Sequence, residues 1–305
     1  MIKFGAVPNQ SGVTWDELLA IWQELDRSSN FDSLWLMDHF VTGFGIAFGS
    51  EGPCLEGWTA LAALAQATSR VRLGIMVTGN TYRHPAVLAK QATTLDHISG
   101  GRLELGIGAA WHAYEHEAFA IPFPSVKERL ERLEEAVQLI KLLWTQPLPK
   151  MEGTYYQLNA PPYNPPNVQQ PHPPILIGGG GEQLTLRAVA RLGNACNIFG
   201  DAETVRRKFE VLRRHCETAG RNYDEIERTS LTGLLLARDD AALRAKRERL
   251  NAPDPFRGFA VTVPQAVDLA GRYRDVGVQL MICSVYKNDA ETQELLATEV
   301  MPSVA

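Results

Sequence analysis

The chain has 305 residues, 45% hydrophobic and 21% charged, enough apolar material for one large core or two ordinary ones. Its net charge of -5 argues against nucleic acid or an anionic membrane as a partner. Four cysteines without paired spacing (Cys54, Cys196, Cys216, Cys283), no signal-peptide pattern and no bilayer-length apolar run give the expectation of a cytoplasmic protein with reduced thiols.

Strand-like and helical patterns alternate along the chain. Residues 2–7 read as a strand, and Thr14-Trp15-Asp16-Glu17 opens a helix with capping-box spacing. A second strand at 33–37 ends in Asp38-His39, followed by a glycine-rich loop to Gly57 and an alanine-rich helix at 58–68. The third strand is 71–77, and a helix at 85–98 carries proline in its first turn. Ser99-Gly100-Gly101 turns the chain into the fourth strand, 103–107, and the rim sequence Gly106–Trp111 follows. A short segment to Pro122 precedes the most periodic helix, 125–144. Residues 145–174 are proline- and asparagine-rich, with tyrosines alternating with polar residues at 154–158, a pattern that suits a short hairpin. Beyond the fifth strand, strands at 195–199, 229–237 and 278–283 alternate with helices at 203–218, 241–250, 264–276 and near 290–298.

The fifth strand carries the strongest local signal. Ile175-Leu176-Ile177 runs into Gly178-Gly179-Gly180-Gly181, and a helical pattern starts at once. A side-chain-free turn at a helix N-terminus lets backbone N–H groups and the helix dipole meet a phosphate. It is not the dinucleotide fingerprint, because Gln183 and Leu184 stand where a third glycine or alanine is needed. Gly106-x-Gly108 fails the same test at Trp111. The doubly wound sheet that would use such a fingerprint is therefore the weaker architecture. Eight strands, nearly all followed by helices, predict one α/β domain spanning 1–305, a (β/α)8 TIM barrel. Its long loops after strands two and four read as lids over the site.

In such a barrel the C-terminal strand ends carry function. They bring Asp38-His39, Met76–Asn80, Gly106–Trp111 and Gly178–Thr185 to one rim. His112-Ala113-Tyr114-Glu115-His116 matches the zinc-peptidase pattern H-x-x-E-H. The segment is short and zinc would leave the glycine loop unused, so no metal is expected. The plainer reading makes His116 an exposed rim residue and lets His112, beside Trp111, face the cleft. Arg206-Arg207-Lys208 and Arg213-Arg214 read as the solvated face of an amphipathic helix.

Phe31–His39, Arg70-Val71-Arg72-Leu73-Gly74, Arg83-His84-Pro85-Ala86, Ser99–Leu103 and Gly178–Arg187 resemble the bacterial luciferase-like superfamily. The resemblance covers essentially the whole chain and is closest to the branch of coenzyme F420-dependent oxidoreductases. FMN-using relatives share most of these motifs. It implies a (β/α)8 barrel, often a homodimer, with F420 or alternatively FMN across the strand ends and a small-molecule substrate. His39 then matches the histidine near the redox-active ring carbon, with Asp38 beside it. These two would be the catalytic pair and would also contact the cofactor. Met76 and Val77 match a non-prolyl cis peptide that supports the ring. Thr78, Gly106, Gly108 and Ala109 match the ring- and ribityl-contacting rim, and Gly179, Gly180, Gly181 and Thr185 match the phosphate loop. Phe44, Trp111 and His112 would face the substrate. The sugar-phosphate dehydrogenases of the branch carry a glutamate as general acid after strand four, where this chain has Trp111 and its neighbours. That departure argues against a sugar phosphate as substrate, and the aromatic lining suggests something more apolar. Beside hydride transfer with F420, the alternatives are an FMN-dependent monooxygenase and a barrel that binds a cofactor or phosphate without catalysis.

Overall fold

The computed structural model describes residues 2–27, 30–41 and 52–304. In chain order the elements are β1 (Lys3–Ala6), α1 (Trp15–Arg27), β2 (Ser33–Leu36), α2 (Gly57–Ala67), β3 (Arg72–Ile75), β4 (Thr78–Gly79), α3 (Pro85–Ser99) and β5 (Leu103–Gly108). There follow α4 (Ala113–Ala118), α5 (Val126–Thr145), β6 (Lys150–Glu152), β7 (Gln157–Asn159), β8 (Ile175–Gly178), α6 (Thr185–Leu192) and β9 (Ala195–Asn197). The last third holds α7 (Ala202–Ala219), β10 (Glu227–Ala237), α8 (Asp240–Arg249), β11 (Phe259–Thr262), α9 (Val263–Asp275), β12 (Leu280–Val285) and α10 (Ala290–Leu295).

Local chemistry sets the helix ends. Thr14 and Glu17 exchange hydrogen bonds ahead of α1, Glu17 Oε2 accepting from the Thr14 amide at 2.8 Å. Pro85 stands in the first turn of α3, and Gly100 closes that helix at φ 65°. Asp201, which follows the sixth strand of the barrel, caps α7 by accepting from the Thr204 amide.

The eight expected strands close into a parallel barrel. The ring runs β1-β2-β3-β5-β8-β9-β10-β12 and back to β1, with Ser33 beside Arg72, Leu105 beside Ile175 and Lys3 beside Leu280. Most of the core lies between strands and helices. A smaller cluster of Val7, Trp35, Met76, Leu176, Ala195, Leu280 and Ile282 fills the barrel interior. No helix among the described residues is long and apolar enough to cross a membrane.

Three details depart from the sequence reading. The segment between the expected helices at 241–250 and 264–276, for which no strand was expected, holds β11, which pairs in parallel with the overlong β10 from Leu234 to Ala237. Gly258 makes this possible, since a Cβ there would press into the Gly233 backbone. The hairpin forms between 150–152 and 157–159. The amides of Thr154, Tyr155 and Tyr156 are instead taken by the Glu135 carboxylate, which fixes the tyrosines in the turn. The rest of 145–174 is not a lid. It packs on the outer side of the barrel, with Tyr163 and Asn167 on Thr93 and Gln169 on Asp96 and the Leu103 carbonyl.

Candidate functional site

The floor of the site is built from glycines. The Met76–Val77 peptide is cis, as the resemblance implied. The chain then re-enters the sheet as β4, which pairs with the end of β5 at Ile107 and Gly108. The Val77 side chain lies across β5 and β8, where Cβ atoms at Gly108 or Gly178 would fall 2.8 and 2.9 Å from its methyl groups. A Cβ at Gly106 would collide with the Ile75 carbonyl oxygen. Three bare backbones and one methyl-bearing side chain make a flat apolar surface at the strand ends, suited to the face of an aromatic ring system. Ala109 stands at its edge, its carbonyl accepting from Arg129 Nε at 3.1 Å. Thr78 is fully buried, and its hydroxyl accepts from Trp58 Nε1 at 3.1 Å, so it supports this floor from beneath.

The second part is the glycine loop. Gly179 takes φ 127°, and its amide is held by the Asn197 carbonyl at 3.0 Å. Gly181 lies so close to Thr185 that a Cβ would sit 2.8 Å from the Thr185 hydroxyl, while at Gly180 the nearest atoms would be 3.8 Å away. Among the described residues no side chain caps the N-terminus of α6 behind this loop. The N–H groups at this helix end, apart from that of Leu186, which the Gly181 carbonyl takes at 3.0 Å, and the open space at Gly180 fit a phosphate. Lys208 approaches from α7, its Cε closest to Gly180, and its ammonium bonds Glu182 at 2.8 Å. Its side chain is only 17% exposed, so this residue belongs to the loop and not to a solvated face.

The third part is a buried polar cluster. Asp38 is 3% exposed and grips Arg83 through both oxygens, at 2.6 and 3.0 Å, while accepting from the Gly79 amide. Burial raises its carboxyl above the ordinary range against the pull of Arg83. With its oxygens so engaged, Asp38 ties β2 to β4 and to the start of α3. His39 instead turns to Glu115: its Nδ1 stands 2.9 Å from Glu115 Oε2. The same oxygen accepts from the Tyr82 hydroxyl at 2.6 Å, and Oε1 accepts from the Phe40 and Val41 amides at 2.9 and 3.2 Å. Burial pushes the Glu115 carboxyl up, yet these bonds, led by that of His39, bring it down to about 2. Burial and then the hydrogen bond to this anion raise the Tyr82 phenol.

Glu115 is the residue that sequence reasoning missed, having considered it only as the base of a zinc motif. That motif is dismantled here. His112 Nδ1 accepts from the Glu115 amide, and His116 bonds the His112 carbonyl and Thr81. No group of three or more His, Cys, Asp or Glu side chains that could hold a metal occurs among the described residues. His116 is also 1% exposed, because its ring stacks on Tyr82 at 4.8 Å, so the expectation of an exposed rim residue fails. Trp111 and His112 both stand with ring centroids 5.5 Å from His39, and Trp111 is half-exposed. Phe44 lies outside the described residues.

A family profile described as luciferase-like monooxygenase matches residues 1–298. The chain belongs to the luciferase-like monooxygenase family. This luciferase-like chain is 35% identical over 212 residues to an F420-dependent glucose-6-phosphate dehydrogenase of Kineococcus radiotolerans, covering 67% of the chain and 59% of that protein. It is 30% identical over 223 residues to the oxygenase component of a flavin-dependent trigonelline monooxygenase of Acinetobacter baylyi, covering 71% and 57%. The chain thus spans about three-fifths of the length of the curated relatives it matches. Among solved structures, an F420-dependent secondary alcohol dehydrogenase in complex with an F420-acetone adduct superposes with a TM-score of 0.84 at 18% identity. That match covers 100% of this chain and 99% of the other, and it bears on the fold alone.

Proposed function

We propose that this luciferase-like protein is an oxidoreductase that moves a hydride between coenzyme F420 and a small, fairly apolar organic substrate. The observation that carries the reading is the His39–Glu115 pair beside a glycine floor and an uncapped phosphate loop. F420-dependent dehydrogenases among the relatives support the choice of cofactor. Bound there, F420 would supply the hydride-accepting or hydride-donating carbon.

The chain's own residues do the rest. Gly179, Gly180 and Gly181, with Thr185 and Lys208, would hold the phosphate. Met76, Val77, Gly106, Gly108 and Ala109 would support the ring. An ionised carboxylate only accepts, so His39 Nδ1 carries a proton toward Glu115 and leaves Nε2 as the nitrogen that takes up or releases one. Glu115 thereby fixes the tautomer and the orientation of the His39 ring, the arrangement of a carboxylate-supported general base. Asp38 acts as an anchor for the rim. The dyad also weighs against a barrel that merely binds phosphate, a reading that rested on the missing acid after strand four. A small-molecule substrate, a homodimer and a cytoplasmic setting complete the reading.

The similarity to the trigonelline monooxygenase component favours one second reading, an FMN-dependent monooxygenase. Reconstitution with each cofactor and a substrate screen under argon and under air tests both. F420-dependent turnover that needs no oxygen is the expected result, and oxygen consumption with FMN alone would reverse the assignment.

A further inference from the structure

His112 occupies the N-cap of α4 and is 3% exposed. Its Nδ1 accepts from the Glu115 backbone N–H at 3.2 Å, and a neutral imidazole that accepts at Nδ1 must carry its proton on Nε2. That Nε2 is buried and, among the described residues, has no hydrogen-bond partner. His39 shows the opposite arrangement: its Nδ1–H faces Glu115, and its Nε2 is the nitrogen left as an acceptor. Two imidazoles with ring centroids 5.5 Å apart therefore carry complementary outer nitrogens, one a proton donor and the other an acceptor. Nothing in the fold needs the His112 N–H, because the capping role uses only the other nitrogen. A buried donor without an acceptor is destabilising, and native proteins keep few of them.

The surroundings say what kind of acceptor would suit it. Burial lowers the His112 pKa and the neighbouring His39 adds to this, although Glu115 opposes them, so the ring stays neutral at ordinary pH. The Glu115 carboxylate, 2.9 Å from the His39 ring, disfavours an anionic ligand. Trp111, with its ring 4.8 Å from that of His112, offers an apolar wall.

We propose that His112 Nε2–H is the hydrogen-bond donor for the oxygen of a neutral carbonyl substrate on an otherwise apolar molecule. This rests on the oxidoreductase reading and adds a residue and a substrate class to it. His112 keeps its proton throughout: it orients and polarises the carbonyl, and proton exchange stays with His39.

The test uses the full chain with 15N-labelled histidine and two probes of similar shape, cyclohexanone and methylenecyclohexane, with and without F420. The His112 ring should show a bare Nδ1 and a protonated Nε2. Cyclohexanone should shift that Nε2 resonance, and methylenecyclohexane should not. His112→Asn keeps an acceptor for the Glu115 amide and loses the ring donor, so the ratio of ketone to olefin affinity should fall about tenfold while the fold holds. A His112 protonated on Nδ1, an Nε2 resonance indifferent to saturating cyclohexanone, or an unchanged ratio in the folded variant would each overturn the proposal. Should His112→Asn not fold, the wild-type nitrogen resonances decide the matter alone. Loss of F420 binding with a persisting ketone response would remove the cofactor reading and leave this donor standing. Intact F420 binding with a silent His112 would do the reverse.

Discussion

Replacing Glu115 with glutamine keeps the size of the side chain and reverses half of its chemistry. Of the two oxygens, Oε1 accepts from the Phe40 and Val41 amides, and the glutamine oxygen can continue to do so. The other, Oε2, accepts from His39 Nδ1 and from the Tyr82 hydroxyl, and there the variant presents an NH2 group to two donors. The conflict is relieved only if His39 moves its proton to Nε2, the wrong nitrogen for a base. Two charge-assisted bonds are lost at a fully buried carboxylate. Each is worth roughly 1.5–3 kcal/mol when made, and partial re-pairing of Tyr82 brings the expected destabilisation to about 2–4 kcal/mol. The catalytic loss should be larger in proportion. In the serine protease triad, exchanging the supporting carboxylate for an amide lowers kcat about 10⁴-fold by fixing the wrong tautomer, and a drop of about 10²–10⁴-fold is expected here. Turnover with F420-loaded protein, urea unfolding and the 15N resonances of His39 together measure it. A folded Glu115→Gln enzyme with wild-type turnover and the His39 proton still on Nδ1 would refute the reasoning.

Other outcomes follow from the same structure. Gly180→Asp has room for its Cβ and should fold normally, yet it puts a carboxylate where phosphate belongs; calorimetry should show F420 affinity reduced at least about tenfold. Gly106→Ala, by contrast, meets the Ile75 carbonyl and should lower stability by about 1–3 kcal/mol or more, read as a fall in Tm. His39→Ala should lower turnover about 10²–10⁴-fold while weakening cofactor binding only modestly; undiminished turnover would make His39 structural. The Glu115 carboxyl is lower in the fold than its ordinary value of 4.5, so its contribution to stability is complete above that value and is lost as pH falls toward about 2. The stability gap between wild type and Glu115→Gln should therefore close as pH falls from about 4.5 toward about 2; a gap undiminished at pH 2 would contradict this.

The barrel was legible because strand and helix periods differ so plainly, and because most of the eight closing strands carry a short apolar stretch such as Ile175–Ile177 or Leu34–Leu36. What escaped was decided by partners distant in sequence. The tyrosine pair at 155–156 looks like an edge strand until Glu135 takes its amides. Strand β11 is four residues whose only reason to extend is the surplus length of β10. In the site, Asp38 and His39 could be read as a strand-end pair, but their division of labour could not. Arg83 and Glu115, 45 and 76 residues further on, decide which is gripped by a guanidinium and which is oriented by a carboxylate. Lys208 looked like part of a solvated basic run because spacing along α7 does not reveal that the glycine loop covers it. Glu115 had a visible signal, the H-x-x-E-H spacing, which placed the correct residue in the wrong chemistry.

The central claim concerns which cofactor the glycine floor and phosphate loop serve. Parallel calorimetric titrations of the purified protein with F420 and with FMN test it most directly. Saturable binding of F420, tighter than that of FMN and weakened by Gly180→Asp, is expected. Binding of FMN with no binding of F420, or F420 binding that Gly180→Asp leaves untouched, would contradict the account.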